Sequence, residues 1–214
     1  MGKLETIIFD YDGTIANTRE IIIECVKKLG EKYNFKVPSD EEIERLRALH
    51  AEDFIKNHLG IPMYKIPCLL AEGWELFSKK RESILPYDGM VKIIKNLARD
   101  YDVIVLSSNK HDTIASTFNK WGLKCDDIRH STQLFGKHHE LKKIISEKRM
   151  KYSRDKLIYV GDEVRDINAC HNAKIGMLAV TWGLNNEEAF RNIGFPREYI
   201  VISPAEMEKR LREL

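Results

Sequence analysis

Residues 7–14 read IIFDYDGT. An apolar run closes on Asp10 and Asp12, with one residue between them, and a glycine and a threonine follow at once. On a strand, residues i and i+2 face the same way. As the chain turns after Asp10, the two carboxylates can converge on one crevice. Two close carboxylates repel, and one takes up a proton unless a cation compensates. Such a pair suits a nucleophile beside a proton donor. Gly13 lets the backbone approach a ligand closely, and Thr14 offers a hydroxyl. The competing reading is an ordinary strand-to-turn exit, where Asp, Gly and Thr are common for local hydrogen-bonding reasons. The rest of the chain has to decide between them.

Working outward, no strand pattern follows residue 10 before Ser83. A helix is expected from Arg19 to Tyr33, with Ile22, Val26 and Leu29 at helical spacing. A second stretch, 39–59, opens on Ser39-Asp40-Glu41-Glu42, a capping serine with a carboxylate three residues on. Gly60-Ile61-Pro62 breaks it, and a further helix covers 66–80. Residues 15–85 therefore read as an all-helical insertion. Beyond the turn Pro86-Tyr87-Asp88-Gly89 the pattern changes. Buried strands are expected at 102–107 (DVIVLS), 127–131, 156–160 (KLIYV), 176–181 and 199–202. Helices are expected at 90–99, 112–121, 139–149, 166–173 and 204–213. Strands alternating with helices predict an α/β fold with a doubly wound parallel sheet. Its core would be formed by 1–14 and 86–214, with the helical domain 15–85 inserted.

The bulk composition agrees. In 214 residues, 43% are hydrophobic, and 35 basic residues against 33 acidic ones leave a net charge of +2. No basic run points to nucleic acid, and no apolar stretch approaches a membrane span. The opening MGKLETIIFDYD enters a strand directly, without a secretory pattern. Cys25, Cys68, Cys125 and Cys170 are widely spaced, with no CxxC pair. Reduced thiols in a cytoplasmic protein are the expectation.

In open parallel sheets ligands bind beyond the carboxyl ends of the strands. After DVIVL come Ser107-Ser108-Asn109, a hydroxyl and an amide that can donate to a phosphate without adding charge. After KLIYV comes Gly161-Asp162-Glu163-Val164-Arg165-Asp166. Asp162, ending an apolar run beside a glycine, suits a hard cation such as Mg²⁺. Asp166, one helical turn on, is either a partner to it or a helix cap. Gly136-Lys137 lies on a loop from which a lysine can neutralise a phosphate or a nucleophile.

The order DYDGT, SSN, GK, GDEVRD resembles the haloacid dehalogenase superfamily, in its phosphoglycolate phosphatase-like branch with a helical cap. The resemblance spans Asp10 to Asp166 and implies roles residue by residue. Asp10 is the nucleophile that becomes an aspartyl-phosphate. Asp12 is the general acid/base, and its backbone carbonyl also meets Mg²⁺. Gly13, Thr14, Ser108, Asn109 and Lys137 bind the phosphoryl group, Ser108 being preferred to Ser107. Asp10, Asp12, Asp162 and Asp166 serve the metal. Haloacid dehalogenases proper lack the second aspartate, so Asp12 argues for phosphoryl transfer. His138-His139 stands where many phosphoglycolate phosphatases carry a proline after the lysine.

The implied activity is a cytoplasmic, Mg²⁺-dependent phosphatase for a small phosphorylated metabolite, as a monomer or homodimer. A sugar phosphomutase of the β-phosphoglucomutase kind shares the motifs, and a non-catalytic binding protein shares the fold. In the cap, Arg47 and His50 are candidates for an anionic leaving group, against a solvated helix face. His111, His130, His138 and His139 fit no compact zinc motif.

Overall fold

The computed structural model describes residues 4–48, 61–125, 127–131, 137–148 and 156–214. In chain order its strands are β1 (Thr6–Phe9), β2 (Ala16–Asn17), β3 (Leu85–Pro86), β4 (Asp102–Ser107), β5 (Ile128–His130), β6 (Leu157–Gly161), β7 (Gly176–Val180) and β8 (Ile200–Val201). Its helices are α1 (Arg19–Tyr33), α2 (Asp40–Leu46), α3 (Ile66–Ser78), α4 (Met90–Leu97), α5 (His111–Lys120), α6 (Lys137–Glu147), α7 (Val164–Ala173), α8 (Glu187–Asn192) and α9 (Pro204–Glu213).

Six strands form one sheet in the order β5-β4-β1-β6-β7-β8. Every neighbouring pair in it is parallel. The near-continuous apolar runs of β1, β4 and β6 follow from burial on both faces. On one face Ile7, Phe9, Val105 and Val160 pack with Met90 and Ile94 of α4, Ile114 and Phe118 of α5, and Met207 and Leu211 of α9. On the other, Ile8, Ile104 and Tyr159 pack with Leu141 and Ile144 of α6, Cys170 of α7 and Phe190 of α8. The chain runs from β1 outward through β4 and β5, then returns to β6 on the opposite side of β1. That reversal opens a crevice beyond the carboxyl ends of β1, β4 and β6.

Between β2 and β3 the regular structure among the described residues is helical: α1, α2 and α3, with single 3₁₀ turns at Met63–Lys65 and Arg81–Ser83. α2 starts as expected, with a capping box in which the Ser39 side chain accepts from Glu42 N–H and Glu42 reaches back to Ser39 N–H. α1 and α3 meet through buried Leu29, Leu69 and Phe77, and through Glu72, which accepts from Lys32 and Tyr33.

Several local features depart from expectation: α6 begins at Lys137, expected on a loop, and α2 ends at Leu46, short of the expected stretch 39–59. β2 and β3 pair antiparallel, Ala16 with Pro86 and Asn17 with Leu85, forming a stem where the insertion leaves and rejoins the core. Two residues per strand are too few to carry a period of two. α8 has no counterpart in the expected elements; Asn186 caps it, accepting from Ala189 N–H at 3.1 Å. α7 begins two residues earlier than expected, and its N-cap is Glu163, so Asp166 does not cap it. No helix among the described residues is long and apolar enough to cross a membrane. None of the four cysteines is in a disulfide.

Candidate active site

The crevice gathers buried charge. Asp10, the first residue past β1, is 3% exposed. Its Oδ1 accepts Tyr11 N–H at 2.8 Å, and its Oδ2 accepts from Lys137 Nζ at 2.5 Å. Lys137 opens α6 and is itself buried. Its Nζ donates as well to Asp166 Oδ1 and to Tyr159 OH, each at 2.9 Å. Burial disfavours charge on Lys137, but Asp10 and Asp166 outweigh it and hold its pKa above the ordinary value.

Asp162 follows β6 and is held from three sides. Thr14 Oγ1 donates to its Oδ1 at 3.1 Å, Leu184 N–H to its Oδ2 at 2.6 Å, and Asn185 N–H to its carbonyl at 3.2 Å. The backbone crowds it closely. A Cβ at Gly13 would lie 2.1 Å from Asp162 Oδ2, and one at Gly183 would lie 2.2 Å away. Gly13 also has φ +72°, a region that other residues enter only with strain.

Asp10, Asp162 and Asp166 each offer an oxygen within 4.8 Å of the others. Burial pushes Asp10 up to about 7, with Lys137 opposing and Asp166 adding to the rise. Burial, then Glu163 and Asp10, push Asp162 well above the carboxylate range. Asp166 Oδ2 is buried with no hydrogen-bond partner among the described residues. One lysine among three buried carboxylates leaves negative charge uncompensated, and the donors are all oxygen. That set fits a hard divalent cation, whose charge would restore the ionised forms.

Asp12 has a separate set of donors. Ser107 Oγ donates to its Oδ2 at 3.2 Å, and Asn109 Nδ2 lies 3.5 Å from its Oδ1. Asn109 N–H donates to Ser107 Oγ at 2.9 Å, which fixes the hydroxyl. Burial raises Asp12 to about 6, with Ser107 and Asn109 holding it down. The two aspartates of the opening motif thus sit near each other but are held by different partners. A carboxyl poised near 6 can give and take a proton close to neutrality.

Asp10, Lys137, Asp162 and Asp166 meet as expected, and Asp12 and Asn109 face each other beside them. Ser107, the residue before the preferred Ser108, donates to Asp12 and closes β4 on the same face as Val105. Thr14, expected on the phosphoryl group, commits its hydroxyl to Asp162 because it is fully buried in the turn. Arg47, a candidate for an anionic leaving group against a solvated helix face, docks the cap on the core. Its guanidinium donates to the carbonyls of Thr181 at 2.7 Å, Gly183 at 3.1 Å and Leu184 at 3.2 Å. His50 lies outside the described residues, as does Gly136. Tyr159 and the segment Gly183-Leu184-Asn185 were not singled out in the sequence. Tyr159 reads there as one more apolar strand residue, and the segment carries no charge to mark it.

The haloacid dehalogenase-like hydrolase family model matches residues 7–180. The chain belongs to this family. Among curated haloacid dehalogenase-like relatives, a phosphoglycolate phosphatase from Synechococcus elongatus is 20% identical over 214 residues, covering 99% of each chain. The pyrophosphatase PpaX of Listeria innocua is 26% identical over 200 residues, covering 87% of this chain and 88% of its own. Among solved structures, a predicted phosphatase from Clostridium acetobutylicum superposes with a TM-score of 0.78 at 20% identity, covering 100% of both chains. A haloacid dehalogenase-like family hydrolase from Streptococcus pneumoniae gives 0.78 at 17% identity, covering 97% of this chain and 98% of its own. The structural likenesses extend the haloacid dehalogenase-like fold over the whole chain, helical insertion included.

Proposed function

We propose that this haloacid dehalogenase-like hydrolase is a Mg²⁺-dependent phosphatase that hydrolyses a small phosphorylated metabolite through an aspartyl-phosphate on Asp10. The observation that carries the reading is the contact of Lys137 Nζ with Asp10 Oδ2 at 2.5 Å and Asp166 Oδ1 at 2.9 Å, beside Asp162. A purely structural charge cluster has no need of three carboxylates to one lysine at a strand-end crevice. Its burial also costs stability unless a ligand repays it. The names of the Synechococcus and Listeria relatives, a phosphoglycolate phosphatase and a pyrophosphatase, support a small phosphorylated substrate.

In this reading Asp10, Asp162, Asp166 and the Asp12 carbonyl would hold Mg²⁺, which would supply positive charge against the phosphoryl oxygens. Lys137 keeps Asp10 ionised and reduces its repulsion of the incoming phosphate. An Asp10 carboxylate oxygen attacks phosphorus in line, and the bond from phosphorus to the leaving oxygen breaks. Asp12, protonated, gives its proton to that oxygen. As a carboxylate it then takes a proton from the water that attacks the aspartyl-phosphate, releasing inorganic phosphate and restoring Asp10. Residues 15–85 act as a cap that excludes bulk water.

The test is phosphate release from phosphoglycolate, pyrophosphate, sugar phosphates and simple alkyl phosphates, with Mg²⁺ or with EDTA, for wild type and Asp10→Asn. Mg²⁺-dependent release that falls by on the order of 10⁴ or more in Asp10→Asn is expected. Release that survives the substitution would overturn the mechanism. Intact wild type that turns over nothing on the panel would overturn the activity.

A further inference from the structure

Cap and core border a partly open cavity of about 150 Å³ beside two of the site carboxylates. Asp12 and Asp162 line its floor. Its walls are apolar: Ile22, Ile23 and Val26 from α1, Ile43 and Leu46 from α2. Ile22 is 40% exposed, so protein does not cover this apolar surface. Among the described residues two guanidiniums border the space, and they share one carboxylate, Glu44. Arg47 donates to three backbone carbonyls and pairs with Glu44 at 2.9 Å. Arg19 pairs with Glu44 as well. A further carboxylate on the lining, Glu163, is paired with Arg165 at 2.5 Å.

We infer that the substrate's leaving group is uncharged and apolar on its cap-facing side: an alkyl or aryl alcohol, not an alcohol bearing a carboxylate or a second phosphate. The inference rests on the phosphatase reading and narrows its substrate class. A leaving group attached to a phosphoryl held at Asp10 extends into this cavity, because Asp12, which would protonate its oxygen, forms part of the floor. Its carbons then meet isoleucine, valine and leucine. A second negative charge would lose its water against those side chains, while the Arg47 guanidinium is given over to backbone carbonyls of the core. A volume near 150 Å³ is about that of one benzene, so a small alkyl or aryl group fits it.

Two measurements on the Mg²⁺-loaded wild-type protein test this. In calorimetry, butylphosphonate should bind at least about tenfold more tightly than phosphonoacetate, whose carboxylate stands where the alkyl chain would. In turnover, kcat/KM should rise about fourfold per methylene from methyl to butyl phosphate, and should exceed that for phosphoglycolate. Ile22→Lys, at a partly exposed position, should reverse the preference in both assays. Tighter binding of phosphonoacetate, a flat alkyl series, or an unchanged ranking in Ile22→Lys would overturn the inference. Turnover that favours phosphoglycolate sinks the apolar leaving group and leaves the phosphatase standing. Tight butylphosphonate binding without turnover of butyl phosphate keeps the apolar site and sinks the phosphatase.

Discussion

At the scale of single residues, the proposed chemistry turns on how two neighbouring aspartates are kept different. Ser107 donates to Asp12 and so favours its ionised form. Removing that donor raises the Asp12 pKa. If Asp12 is the acid that sets the alkaline limb of the pH–rate profile, Ser107→Ala moves that limb up by about half a unit to one unit. Ser108→Ala should leave it in place, and the reverse pattern would contradict the contact. Lys137 is the counter-charge to Asp10 and Asp166. Lys137→Met strands both, and should cost about 3–5 kcal/mol in urea unfolding of the metal-free protein at pH 8. The cost should shrink at pH 5, where a carboxylate with a raised pKa is protonated. Asp10, Asp162 and Asp166 were legible in the sequence because each ends, or closely follows, an apolar run, and a parallel sheet brings such ends together. That Ser107 faces Asp12 follows from the strand's parity, which the residue types alone do not carry. The docking of Arg47 was not legible because a charge on a cap helix reads the same whether it meets a ligand, water or a backbone carbonyl.

At the scale of elements, the segment after β7 joins the insertion to the core. Arg47 donates to the carbonyls of Thr181, Gly183 and Leu184, and its own carbonyl accepts from Asn185 Nδ2 at 2.9 Å and Asn186 N–H at 3.3 Å. Arg47→Ala deletes the side-chain half of this contact. We expect kcat/KM to fall about tenfold and the cap to become more susceptible to limited proteolysis, while the far-ultraviolet dichroism stays native. Unchanged kinetics would mean the docking is incidental. The capping box of α2 is a local signal, read correctly from Ser39 and Glu42. The β2–β3 stem and the docking segment are pairings between positions far apart in the chain. Nothing in Ala16-Asn17 or Gly183-Leu184-Asn185 announces a partner.

At the scale of the whole molecule, the alternation of strand and helix fixed the parallel sheet, and the long strand-free interval after residue 10 marked the insertion. What the sheet does with charge has a thermodynamic signature. Asp10 titrates near 7 in the folded protein, against an ordinary 3.8. The folded state therefore keeps a proton between those values that the unfolded chain has released. Its contribution to stability is complete below 3.8, declines as pH rises, and is gone above about 7. Asp162, raised for the same main reason, acts in the same direction. In EDTA, thermal unfolding should therefore occur at lower temperature at pH 8 than at pH 5.5. Mg²⁺ should restore more at pH 8, where it need not displace protons. A metal-free melting temperature that climbs steadily from pH 5.5 to 8 would contradict the sign.

Asn185 belongs to both halves of the molecule. Its amide nitrogen holds the Arg47 carbonyl of the cap, its amide oxygen accepts Val164 N–H at 3.0 Å at the start of α7, and its backbone N–H holds the Asp162 carbonyl. A bridge of this kind imposes reciprocity. Whatever free energy a seated cap lends to a cation at Asp162, the cation returns to the seating of the cap. On the proposed metal reading, an empty site and an open cap would then favour each other, as would a filled site and a closed one. The enzyme would enclose a substrate most firmly when it is equipped to act on it.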